Sequence, residues 1–108
     1  MNLSLYLWQR GTAALMAPMV LVHLVVIFYA TRHGLTAGDI LGRVRGSIGW
    51  GGFYALFVLA ASIHAGIGIR NVLAEWSPLP ERAAGVAALV FGILLCGLGL
   101  RAVMAVAL

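Results

Sequence analysis

Three apolar runs, over residues 5–30, 48–73 and 83–108, constrain this chain more than any other feature. Each exceeds the roughly 20 residues that a helix rising about 1.5 Å per residue needs to cross a bilayer, leaving room for tilt. Runs of this length leave few folds open, because in lipid the backbone must satisfy its own polar groups and a helix does so within one segment. The expected fold class is an all-α membrane protein with three transmembrane helices, at about 5–30, 48–76 and 83–107, forming a single membrane domain over 1–108. Composition points the same way: 63% of residues are hydrophobic and 9% charged, too little charge to cover a water-facing surface.

The remaining composition excludes several function classes. The net charge of +4 comes from arginines scattered along the chain, with no basic patch and no interleaved aromatics, so nucleic acid is not an expected partner. Cys96 stands alone inside the third span, which rules out a disulfide framework or a cysteine-based metal site; it reads as a small apolar filler. The first span carries Trp8, Gln9 and Arg10 and has no basic leader, unlike a cleavable signal. Nothing resembles a transit peptide, which favours a bacterial inner (cytoplasmic) membrane. Arginines divide almost evenly between the two sides, Arg32, Arg43 and Arg45 against Arg10, Arg70 and Arg82, so charge does not set the orientation.

Residues 31–47 form the long loop, punctuated by Gly34, Gly38, Gly42 and Gly46, with space for a short interfacial helix around residues 39–44. Pro78 and Pro80 end the second span and restart the third in a tight hairpin. The third span holds almost no chemistry. Its Gly85, Ala88, Gly92, Cys96 and Gly99 recur at helical spacing, a stripe that lets another backbone approach closely. Nothing in the sequence obliges the rest of this chain to cover that stripe, so it is expected to meet a second, similar subunit.

Polar residues inside the spans carry the functional signal, since each is costly in lipid. At 100° per residue His64, Gly68, Asn71 and Glu75 fall within about 40° of one line on the second span, and Thr12, Met16, Met19 and His23 do the same on the first. Arg70 points elsewhere. Two helices thus each present one histidine among small or soft residues, with Pro18 available to kink the first.

Several fates are open to those histidines. Each imidazole could hydrogen-bond a neighbouring helix and do nothing more. A proton relay needs a chain of carboxylates and histidines through the membrane, and no carboxylate lies within the core of any span. A zinc or copper site needs three or four clustered ligands, which the chain does not offer. Haem b held by two histidines needs one imidazole from each of two facing helices, small residues beside them, and cations for the propionates. Gly66 and Gly68 beside His64 would give the space, serve close helix packing, or do both, and Arg10 and Arg70 would give the charge.

The order of these features resembles the small cytochrome b membrane-anchor subunits of succinate dehydrogenase and fumarate reductase. The resemblance covers nearly the whole chain: three spans, QRGTAAL opening the first, and IHAGIGIRNVLAEW closing the second, followed by a short hairpin. It implies that His64 is an axial haem ligand and that Arg10 lies near the haem propionates and the quinone. Thr12, Arg70, Glu75 and Trp76 complete that vicinity. Glu75 and Trp76 stand where the family commonly has Asp-Tyr, so an indole N–H replaces the phenol as the donor to quinone. His23 follows Arg10 and Thr12 as a histidine does in two-haem members, which implies a second haem with a matching histidine from a partner. The other arrangement sets His23 and His64 on one haem, at about 20 and 17 Å from a common end.

The resemblance further implies a chain that packs with a second membrane-anchor subunit into a haem-binding bundle and docks an iron–sulfur subunit and a flavoprotein. Electrons from succinate would reach ubiquinone or menaquinone through one or two haems b. The N-terminus and the 77–81 hairpin would face the cytoplasm and the 31–47 loop the periplasm. Three alternatives stay open: a haem-free structural anchor, a haem-bearing anchor of another dehydrogenase, and a small transporter component.

Overall fold

The computed structural model describes residues 3–108, which form four helices: α1 (Leu3–His33), α2 (Ala37–Val44), α3 (Ile48–Trp76) and α4 (Glu81–Ala107). No strand occurs among the described residues. α1, α3 and α4 are each long and apolar enough to cross a membrane, and they run alternately up and down. The chain is an all-α, multi-pass membrane protein.

Local chemistry explains where the helices start and stop. α1 continues through Pro18, whose ring frees the Ala14 carbonyl without ending the helix. It ends at Gly34, which adopts φ 139° and donates to the Ala30 carbonyl at 2.8 Å. The interfacial helix anticipated in the loop is α2. Thr36 caps it: its hydroxyl accepts from Asp39 N–H at 3.1 Å, while the Asp39 carboxylate accepts from Thr36 N–H at 3.3 Å. Those Thr36 hydrogen bonds, side chain first and backbone second, hold the Asp39 carboxyl below its ordinary value.

Two contacts tie α2 down. Arg43 donates to the Gly34 carbonyl at 2.7 Å, and Gly46, at φ 77°, donates to the Ala107 carbonyl at 2.8 Å. The loop is therefore fastened to the far ends of both α1 and α4. At the other end of the bundle, Ser77 closes α3 through its hydroxyl, which donates to Leu73 O at 2.6 Å, and Pro80 precedes α4.

α3 is the centre of the arrangement. It packs against α4 along most of its length and against α1 on another face, while α1 and α4 share no extended contact. The buried positions are almost all small: Ala60, Ala84, Ala88, Ala107, Thr12 and Ser62, with Met19 the largest, and no large side chain is fully buried among the described residues. Leu, Val, Ile and Phe side chains point outward instead, as lipid makes no demand to bury them.

This packing corrects one expectation. The small-residue stripe of α4 meets α3 of the same chain: Gly92 lies against Gly66 and the Ser62 carbonyl, and Ala84 and Ala88 are buried. Close backbone approach lets dispersion contacts and weak Cα–H contacts hold α3 to α4 where no hydrophobic effect acts. Gly66 is thereby engaged in the helix crossing.

Candidate functional site

The polar residues of α1 and α3 meet at one seam. Thr12, only 6% exposed, brings its Oγ1 to 3.4 Å from His64 Nδ1. The same hydroxyl donates back along its own helix to the Trp8 carbonyl at 2.7 Å, with the Gln9 carbonyl at 3.1 Å. One turn away Gly68 of α3 faces Gln9: a Cβ on Gly68 would lie 3.6 Å from the Gln9 amide nitrogen. Gly68 thus admits the glutamine side chain into the seam. His64 is half-buried, and its Nε2 has no hydrogen-bond partner among the described residues.

His23 occupies a different level. Its ring stands edge-on to Tyr54 (5.6 Å, 83°) and Phe57 (5.4 Å, 80°), and its Nδ1 is buried without a hydrogen bond. It borders an apolar cavity of about 900 Å³, with Tyr29, Arg43 and Trp50 on the other walls. Thr12 marks the level of His64, and His23 lies eleven residues further along α1, about 16 Å away at the helical rise. The fold does not bring the two histidines together. They cannot be the two axial ligands of one macrocycle.

The register also separates residues that the sequence would group. Because Gln9 faces Gly68 and Thr12 faces His64, Arg10 lies level with the residues around Ile67 and not with Glu75. Trp76 is nine residues beyond that level, about 13 Å. Glu75 and Trp76 are exposed at the end of α3, Trp76 at 82%. Arg10 is exposed too, with its guanidinium 5.7 Å from the centre of the Tyr6 ring. Arg70 is engaged across the hairpin, donating to Glu81 at 2.7 Å.

Two contributors escaped the sequence analysis. Gln9 carries a buried Oε1 with no partner, one turn from the Thr12–His64 contact. Its position three residues before Thr12 was the available signal, since residues so spaced share a helix face. The aromatic wall around His23 was legible as Trp50, Phe53, Tyr54 and Phe57, which follow the i, i+3, i+4, i+7 spacing of one face.

No group of three or more His, Cys, Asp or Glu able to hold a metal ion exists among the described residues. What the seam offers is a single imidazole with one nitrogen engaged and the other open. That donor is of a kind that could hold a haem iron, with a further ligand drawn from outside this chain.

Three antiparallel membrane-crossing helices, with a histidine set in the polar seam between two of them, define a multi-pass membrane protein whose chemistry is concentrated on one helix pair. A family model for the succinate dehydrogenase/fumarate reductase transmembrane subunit matches residues 1–100. The chain belongs to that family, the membrane subunits of the succinate dehydrogenase and fumarate reductase complexes. Comparison with curated proteins and with solved structures gives no match.

Proposed function

We propose that this chain is a haem b- and quinone-binding anchor of a bacterial inner-membrane succinate:quinone oxidoreductase, with no catalytic head of its own. It would pair with a second anchor subunit and hold an iron–sulfur subunit, itself joined to a flavoprotein, at the end of the bundle formed by the N-terminus and the 77–80 connection. The observation that carries this reading is the seam histidine. His64 has Nδ1 engaged by Thr12 and Nε2 open, in a family of redox-complex membrane subunits.

When bound, haem b supplies a one-electron redox centre. His64 would hold the haem through Nε2, together with a ligand from the partner anchor. Arg10, level with Ile67 and less than one helical turn from His64, is exposed at the side of the bundle and would carry the positive charge for the propionates. Trp76, at the membrane surface, offers its indole N–H to a carbonyl of ubiquinone or menaquinone, and Glu75 beside it supplies an acceptor when the quinone is reduced and carries protons. Arg70 shares its charge with Glu81 and braces the hairpin. His23, which borders the 900 Å³ cavity, would hold a second haem nearer the periplasm.

A dithionite-reduced minus oxidised spectrum of the purified complex, with a pyridine haemochrome count, tests this reading. The expected result is two b-type haems per complex, one lost in His64→Ala and the other in His23→Ala, with the subunits still copurifying. A complex without b-type absorbance would overturn the haem reading and leave a haem-free structural anchor.

A further inference from the structure

The hydroxyl of Thr12 has one proton and two backbone carbonyls competing for it. Trp8 O lies at 2.7 Å and Gln9 O at 3.1 Å, whereas His64 Nδ1 is at 3.4 Å. Whichever carbonyl takes the proton, the hydroxyl faces His64 with a lone pair. A lone pair facing a neutral imidazole nitrogen is favourable only if that nitrogen bears the hydrogen. We infer that Thr12 is a positioning residue for His64, holding the imidazole proton on Nδ1 so that the Nε2 lone pair always points away from α1.

Three further features make the hold firm. Thr12 is β-branched and its hydroxyl is bonded back to the preceding turn, which leaves its rotamer little freedom. At 6% exposure it is shielded from water that could compete for His64. Gln9 fills the next turn of the seam opposite Gly68, so a shift of the imidazole toward that side meets a side chain. The inference gives Thr12 a role different from proximity to propionates or quinone: it acts through the histidine.

The consequence for a metal ligand rests on the haem reading above. A histidine whose distal N–H donates to a fixed acceptor is held in one tautomer and ring orientation and is a more basic ligand, and loss of such a partner typically costs about 10–100-fold in metal affinity. A more basic imidazole favours the oxidised iron. Removing the Thr12 acceptor should therefore raise the reduction potential and loosen the haem.

The test compares wild type, Thr12→Val, Thr12→Ala and Thr12→Ser. Nitrogen-15 NMR of histidine-labelled full chain in lipid, prepared without haem and above the histidine titration range, reads the His64 tautomer, its signals being those lost in His64→Gln. Wild type and Thr12→Ser are expected to show the proton on Nδ1, and Thr12→Val to show it largely on Nε2. Redox titration of the purified complex reads the potential and the haem occupancy; Thr12→Val should titrate at higher potential with haem held about tenfold more weakly, and Thr12→Ser should restore both. Thr12→Ala serves the same comparison if the valine variant does not accumulate. An unchanged tautomer in both Thr12→Val and Thr12→Ala overturns the inference. A switched tautomer in a complex that binds no haem upholds it while refuting the haem reading, so the two failures are distinct.

Discussion

Gly99→Ala should loosen the α3–α4 pair, whereas Gly66→Ala at the visible crossing should not. A Cβ on Gly99 would lie 2.6 Å from Val58 Cγ1 and 3.0 Å from Cγ2, against an optimum of about 3.5–4.0 Å between carbons. Val58 cannot easily step aside, since a valine in a helix has one strongly preferred rotamer. The strain must then be relieved by moving α4 away from α3, at about 1–3 kcal/mol for an overpacked contact. At Gly66 the new Cβ meets only the Ala88 carbonyl at 3.5 Å and Gly92 Cα at 3.8 Å, ordinary van der Waals distances. Both substitutions share the gain in helix propensity of about 0.5–1 kcal/mol, so their difference isolates the steric cost. Reversible unfolding of the chain in bicelles should place Gly99→Ala about 1–3 kcal/mol below Gly66→Ala. Adding Val58→Ala should recover most of the steric loss, as expected of two residues in direct contact. Equal stability of the two glycine variants, or no recovery in the double variant, would refute the assignment of this contact as the tight point of the bundle.

Two other predictions concern charge. The Asp39 carboxyl is held below its ordinary value of 3.8 by Thr36, so its stabilisation of α2 is fully present above that value and is lost as pH falls through the lower folded value. Amide exchange in residues 37–44 should accelerate over that acid range in wild type and show no such step in Asp39→Asn; a step of equal size in the variant would assign the effect elsewhere. The Arg70–Glu81 pair has a carboxylate 74% exposed, so Arg70→Gln should cost less than about 1 kcal/mol, and the cost should shrink in high salt. A larger, salt-insensitive loss in the same unfolding assay would show that Arg70 does more than brace the hairpin.

Much of the local structure was written in the sequence because its causes are local. Length and apolarity define the spans, Pro78 and Pro80 separate α3 from α4, and Thr36 with Asp39 caps α2. Ile40, Leu41 and Val44 turn the inner side of α2 toward the bundle, and a helix with one apolar side announces its orientation. The membrane helices give no such indication. Their apolar residues are spread over every side, so the hydrophobic pattern does not say which face meets which neighbour.

The seam shows the same division. That His64, Gly68, Asn71 and Glu75 share a face follows from helical periodicity alone. That His64 meets Thr12, and that Arg10 lies near Ile67 instead of Glu75, depends on the axial offset between α1 and α3, which periodicity does not contain. Counting depth from an assumed common end put His23 and His64 at similar levels, whereas the actual offset sets them about 16 Å apart. The small stripe of α4 was legible as a close-packing face, but its partner was not.

The sequence by itself determined that this is a three-span, all-α membrane protein with a polar line on α3, because span length, caps and periodicity act within one segment. Tertiary structure alone decided that α3 is the central helix, that Gly66 and Gly92 meet, and that Thr12 faces His64. The physical reason is that association in lipid has no hydrophobic gradient to direct it. Small differences in how closely backbones approach, and one buried hydroxyl facing one imidazole, set the register instead.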